Sequence, residues 1–143
     1  MRQAEFKCIT GLGTVLGTYY GGVQIRSHPG APGIGKVTKI PIGTDKVVVS
    51  FTSGPLPTSN ILNNQKLIKL INTAGKNSLK HLTSDPSSDK FLELSRNFSL
   101  QINFFPFEFY KFMKLADRFN MTCSMNLFGN SLFSILNLSL IHI

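Results

Sequence analysis

Glycine and proline crowd the first 35 residues, and this restricts the fold more than any other feature of the chain. Gly11, Gly13, Gly17, Gly21 and Gly22 interrupt residues 10–22, and the string HPGAPGIG fills residues 28–35. Proline fixes φ and lacks a donor N–H, so residues 28–35 are predicted as a loop rather than helix or central strand. Glycine at this density lets the backbone approach a ligand or another backbone closely. No Lys-Ser/Thr pair follows, so the Walker phosphate loop is excluded. The spacing also lacks the strand–turn–helix setting of a dinucleotide fingerprint. Residues 8–22 therefore read either as a close-approach segment or as a bend that needs small side chains.

Around this punctuation the chain reads as strands first and helices second. Residues 22–27 (GVQIRS) alternate apolar and polar, as a half-buried strand does. Residues 36–42 and 46–52 are two further strands, and Gly43-Thr44-Asp45 is short enough to join them as a hairpin. Beyond Pro57, Thr58 or Ser59 can cap a helix with Ile61, Leu62, Leu67, Ile68 and Ile71 on one face and Gly75 as its stop. A short helix over 77–82 follows. Asp85 as N-cap with Pro86 at the first helical position opens another, carrying Phe91, Leu94, Ser95 and Phe98. Pro106 to Phe119 is predicted helical with Phe109, Phe112, Met113 and Ala116 inward. Residues 121–128 read as a strand, and Gly129-Asn130 as a turn into a last apolar segment, a helix or strand over 132–143. This order argues for an α+β domain, with antiparallel strands packed against several helices.

Composition bounds the function. The chain has 143 residues, 42% of them hydrophobic and 15% charged, which is globular composition. Its net charge of +8 suits phosphate-bearing ligands, nucleic acid or an anionic surface. The lysines are scattered, however, without interleaved aromatics, which argues against nucleic acid. Cys8 and Cys123 lie far apart in apolar strings and read as reduced, buried thiols. His28, His81 and His142 form no ligand cluster, so no metal site is expected. Reduced cysteines and the lack of a signal peptide suggest the cytoplasm. No apolar stretch reaches membrane-spanning length.

Three segments could carry chemistry. The first is CITGLGTVLGTYYGG, residues 8–22. In the second, residues 25–35, Arg26 precedes a rigid Pro/Gly loop and could fork onto a carboxylate or phosphate. In the third, residues 124–133 (SMNLFGNSLF), Gly129 is expected to join a strand to a helix whose free N–H groups could hold an anion. Each alone reads equally as ordinary structure: a bend, a surface arginine, a strand-to-helix turn.

In this order, the three segments resemble the archaeal pantoate kinases of the GHMP superfamily. The most specific stretch is AEFKCITGLGTVLGTYYGGVQIRSHPGAPGIGKVTKIPI. The similarity continues through VVSFTSGPLPTSNIL, INTAGKN, FLELSRNFS and SMNLFGNSLFSI and spans roughly residues 2–137. The resemblance implies a GHMP-type fold in which residues 1–52 complete a first domain and supply substrate-side strands, and residues 53–143 form the C-terminal domain. It implies transfer of the ATP γ-phosphate to (R)-pantoate on the archaeal route to coenzyme A, with Mg2+. The family's loop around the ATP phosphates has no counterpart here, so the chain is expected to be a C-terminal portion, inactive alone. Thr10, Gly11, Gly13, Gly22 and Arg26 fall at the substrate side, with Arg26 on the pantoate carboxylate, and Gly129, Asn130 and Ser131 fall near the nucleotide.

Many GHMP kinases place an Asp where this chain has Thr14. Thr cannot act as a base at neutral pH, which shifts the expected mechanism to orientation and electrostatics. The resemblance also implies a homodimer, and a half-kinase should expose apolar surface. The competing reading is a non-catalytic truncated or regulatory domain that binds a small acid or phosphate.

Overall fold

The computed structural model describes residues 13–54, 63–127 and 130–140. The chain divides into two compact units, Met1–Ile42 and Gly43–Ile143.

In the first unit, helix α1 (Gly13–Tyr20) forms inside the glycine-rich stretch, where the sequence suggests a bend or close approach. Its end falls where the glycines double. Gly21 and Gly22 have φ of 62° and 74°, the left-handed region open to glycine. Strand β1 (Val23–His28) then pairs antiparallel with β2 (Lys36–Ile40), from Val23↔Ile40 to His28↔Lys36. The expected hairpin between residues 36–42 and 46–52 is therefore not formed. β2 folds back on β1 across the Pro/Gly loop, because alternation marks a strand but does not choose its partner.

In the second unit, β3 (Lys46–Gly54) pairs antiparallel with β5 (Asn130–Asn137), and β5 also pairs with β4 (Ser124–Met125), giving the order β3-β5-β4. Three helices lie between β3 and β4 in sequence: α2 (Gln65–Ser84), α3 (Ser88–Ile102) and α4 (Phe107–Arg118). The α+β class is as the sequence predicts, but several boundaries move for local reasons. α2 starts at Asn64, whose side-chain oxygen accepts from the Leu67 N–H at 3.1 Å. It runs through Gly75 without stopping, absorbing the short helix predicted over 77–82. Ile61 and Leu62, placed on its face by the sequence, lie outside the described residues. Ser87, rather than Asp85, caps α3, accepting from the Lys90 N–H at 3.2 Å. Asn103 closes α3 at φ 46°, its N–H donating to the Ser99 carbonyl. Among the described residues 121–127 only Ser124–Met125 is strand, and the segment from Asn130 is strand β5, not a helix.

The core of this unit joins α2, α3 and α4 to the sheet through Ala74, Ile102, Phe109, Met113, Met125 and Leu132, with Ile71 and Phe98 packed against them. Phe109, Met113 and Ala116 are buried as the α4 periodicity predicts, whereas Phe112 is 47% exposed. The Ser99 hydroxyl is buried and donates to the Ser95 carbonyl at 2.9 Å. It also lies 3.1 Å from the Ser124 hydroxyl and accepts from the Met125 N–H at 3.3 Å, which fastens α3 to β4. At the surface, Arg96 of α3 meets Asp117 of α4 at 2.7 Å.

Gly75 sits mid-helix, and a Cβ there would meet Phe98 Cε2 at 3.7 Å, an ordinary contact. Gly75→Ala should therefore stabilise the second unit by up to about 1 kcal/mol, since Ala is the better helix former. Urea unfolding with an unchanged m-value would show it as a raised midpoint; a lowered midpoint would contradict the packing described.

Candidate functional site

The first unit is held together by its loop and turn. Leu16 of α1 is 1% exposed, and a Cβ added to Gly35 would come 3.1 Å from its Cδ1. The loop that packs there is tight: Ala31 O accepts from both the Ile34 and Gly35 N–H groups at 2.9 Å. Gly30 adopts φ 150°, and a side chain at this position would run into the Gly35 backbone. Gln24 of β1 donates from Nε2 to the Gly21 carbonyl at 2.8 Å, tying the end of α1 to the strand that follows.

That strand carries Arg26. It is exposed, opposite Val37, while its neighbour Ile25 points the other way and is buried. Gln24 faces Lys39, so Arg26 and Lys39 are diagonal neighbours on one face of the ladder. Between residues 13 and 42 the cations are Arg26, Lys36 and Lys39, and there is no Asp or Glu. Among the described residues the ion pairs are Lys90–Glu93 and Arg96–Asp117, so Arg26 is in neither. A guanidinium with five donors on a carboxylate-free face suits a carboxylate or phosphate ligand. The sequence pattern singles out Arg26 but misses Lys39, because their adjacency depends on β1 pairing with β2.

The other candidate residues separate. Thr10 and Gly11 lie outside the described residues; Gly13 opens α1, Thr14 follows it in the helix, and Gly22 forms the turn after it. Gly129 is also outside the described residues. Asn130 and Ser131 begin β5, opposite Gly54 and Thr52. The Ser131 hydroxyl already accepts from Asn126 Nδ2 at 2.8 Å. With strand rather than helix here, the helix N-terminus expected to attract an anion is not formed.

A second feature lies wholly within the second unit. An apolar groove of about 350 Å3 runs between α4 and the β3–β5 face, and none of its lining side chains is charged. Phe51, Phe112, Leu115 and Leu136 line it, and Cys123 lies at its side. Burial pushes the Cys123 thiol pKa up, opposed by the charge of Arg96 and a hydrogen bond with Ser134. Among the described residues no group of three or more His, Cys, Asp or Glu side chains could hold a metal ion.

Known proteins resemble this chain in sequence and in fold. A pantoate kinase of Thermococcus kodakarensis is 31% identical over 134 residues, which is 93% of this chain and 44% of the relative. A pantoate kinase of Methanocaldococcus jannaschii is likewise 31% identical over 134 residues, 92% of this chain and 48% of the relative. By sequence the chain is similar to pantoate kinases. A solved structure, a phosphotransferase related to the CoA biosynthesis pathway, superposes with a TM-score of 0.83 at 29% identity, covering 94% of this chain and 43% of its own. No protein-family model matches the chain. It spans about half the length of the pantoate kinases it matches.

Two outcomes follow from this geometry. Gly30→Ala should cost about 1–3 kcal/mol through its disallowed φ. The change would be read as faster amide exchange across β1 and β2, with exchange in the β3–β5 pairing unchanged. Because burial disfavours the thiolate, alkylation of Cys123 in a Cys8→Ser background should turn on at higher pH in the folded chain than in urea. Identical pH profiles would show that the thiol is not desolvated.

Proposed function

We propose that this chain supplies the acid-binding side of a pantoate kinase, with Arg26 holding the carboxylate of (R)-pantoate. The observation that carries the reading is Arg26 itself: an exposed guanidinium outside both ion pairs described, on a unit with no carboxylate between residues 13 and 42. Lys39, beside it on the ladder, adds positive charge without competing for the planar fork.

In this reading the pantoate hydroxyl oxygen attacks the γ-phosphorus of ATP, the bond to the bridging oxygen breaks, ADP leaves, and the hydroxyl proton passes to solvent. Catalysis of such a transfer consists mainly of positioning and charge neutralisation. Thr14 orients the hydroxyl through its own hydroxyl group and does not take its proton. Thr10, Gly11, Gly13 and Gly22 are proposed to let the backbone come close to the substrate. Gly129, Asn130 and Ser131 are proposed to lie near the nucleotide on the strength of their place in the resemblance alone.

Among the described residues no group of three or more His, Cys, Asp or Glu side chains gathers to hold a metal, so Mg2+ would be carried in largely on the nucleotide phosphates. The ATP phosphates are proposed to be met by the part of the kinase fold that this chain does not match. The chain is taken as cytoplasmic from its cysteines, and as homodimeric from the resemblance.

The test is coupled ADP release with (R)-pantoate and Mg-ATP. It is run on this chain alone and on a chimera in which the chain replaces the matching 134 residues of the T. kodakarensis enzyme. Pantoate-dependent turnover is expected only in the chimera. There, Arg26→Ala should raise the pantoate KM about 10- to 150-fold with kcat little changed, the loss of a charge-assisted pair worth about 1.5–3 kcal/mol. Arg26→Lys should restore only part of it. Binding of pantoate without turnover would favour a non-catalytic acid-binding domain, and an unchanged KM would remove Arg26 from the site.

A further inference from the structure

At one end of its sheet the second unit holds a small, mostly polar pocket of about 220 Å3, lined by Lys46, Asp89, Asn120, Thr122 and Asn137 beside Leu92. Separate segments of the chain converge on it. Lys46 and Asn137 are partners at the start of β3 and the end of β5, Asp89 lies in the first turn of α3, and Asn120 and Thr122 follow α4. Asn130 and Ser131 begin β5, so at about 3.4 Å per residue Asn137 lies about 24 Å along the strand from Asn130. The pocket is therefore separate from the residues proposed to lie near the nucleotide.

Lys46 and Asp89 share this pocket without pairing: among the described residues the ion pairs are Lys90–Glu93 and Arg96–Asp117. Lys90, the cation next to Asp89 in the chain, is thus taken by Glu93. Asn137 adds an acceptor, because its Oδ1 is buried without a hydrogen-bond partner among the described residues. A buried polar atom left unpaired is costly until a donor reaches it. We propose that the pocket binds a small zwitterion of the amino-acid class. Its ammonium group meets Asp89 and Asn137 Oδ1, and its carboxylate meets Lys46. A ligand with a single charge would leave one of the two charged side chains unmet. The volume lies below the roughly 300–1,000 Å3 of pockets for drug-sized ligands, which limits the occupant to a small molecule. The proposal does not depend on the kinase reading.

The test is an NMR titration of the 143-residue chain with glycine, 4-aminobutyrate and 6-aminohexanoate, with butyrate and butylamine as single-charge controls. At least one of the amino acids should shift the amides of residues 46, 89, 120–122 and 137 saturably and bind about fivefold or more tighter than either control. No saturable shift, or equal binding by a control, would overturn the proposal. Lys46→Glu and Asp89→Lys, made singly, each leave two like charges in the pocket and should weaken the amino acid about fivefold or more. Made together they should restore binding, with the zwitterion reversed. Asp89 also favours the N-terminus of α3 through the helix dipole, so Asp89→Lys lowers stability by itself. Restoration by the second change at Lys46 is an effect that a merely structural Asp89 would not produce, and its absence in a folded double variant would overturn the proposal. Should the charge reversals not fold, milder variants decide. Asp89→Asn should bind butyrate as well as the amino acid, and Lys46→Gln should bind butylamine as well. Neutral variants that keep the parent chain's preference would overturn the assignment of both residues.

Discussion

The second unit depends on the pairing of β3 with β5. Eight partner pairs, from Lys46↔Asn137 to Gly54↔Asn130, join segments that lie on opposite sides of three helices in sequence. Closing so long a connection costs chain entropy that only a packed core can offset. The core does so from the β5 side. Leu132 of β5 and Met125 of β4 meet Phe109 and Met113 of α4, while Ser99 fixes α3 to β4 through the Ser124 hydroxyl and the Met125 N–H. Among the described residues β5 is paired on both edges and partly buried, whereas β3 is paired on one edge.

The first unit solves a different problem with small residues. A helix with two glycines in its eight residues has little intrinsic stability. It is fixed by contacts at both ends of the hairpin: Leu16 against the Pro/Gly loop, and the Gly21 carbonyl against Gln24. The result is a short helix beside a two-stranded ladder whose charged side chains are all cationic between residues 13 and 42. Between residues 13 and 42 no carboxylate is present to take Arg26 into a salt bridge within that segment. This fits the likeness to enzymes named for an acid substrate.

Local chemistry and alternation were enough to reveal the α+β class, the α4 face carrying Phe109, Met113 and Ala116, and a loop that occupies 29–35, and they singled out Arg26 as exposed on its strand. These features depend on short-range rules: proline geometry, helical and strand periods, and the donor geometry of arginine. The resemblance to pantoate kinases was equally legible, because it lies in linear motifs. Tertiary structure alone decided the strand partners. Nothing in KVTKIPI or KVVVSFT tells β2 to turn back to β1 and β3 to wait for β5, since alternating apolar residues fit any neighbour with a matching face. It also decided that Gly75 continues a helix, because packing beside Phe98 outweighs a propensity of about 1 kcal/mol. Finally, it decided that residues 130–137 form a strand and not a helix, and that Phe112 lines an open groove: both follow from what each segment packs against, which no local window of sequence contains.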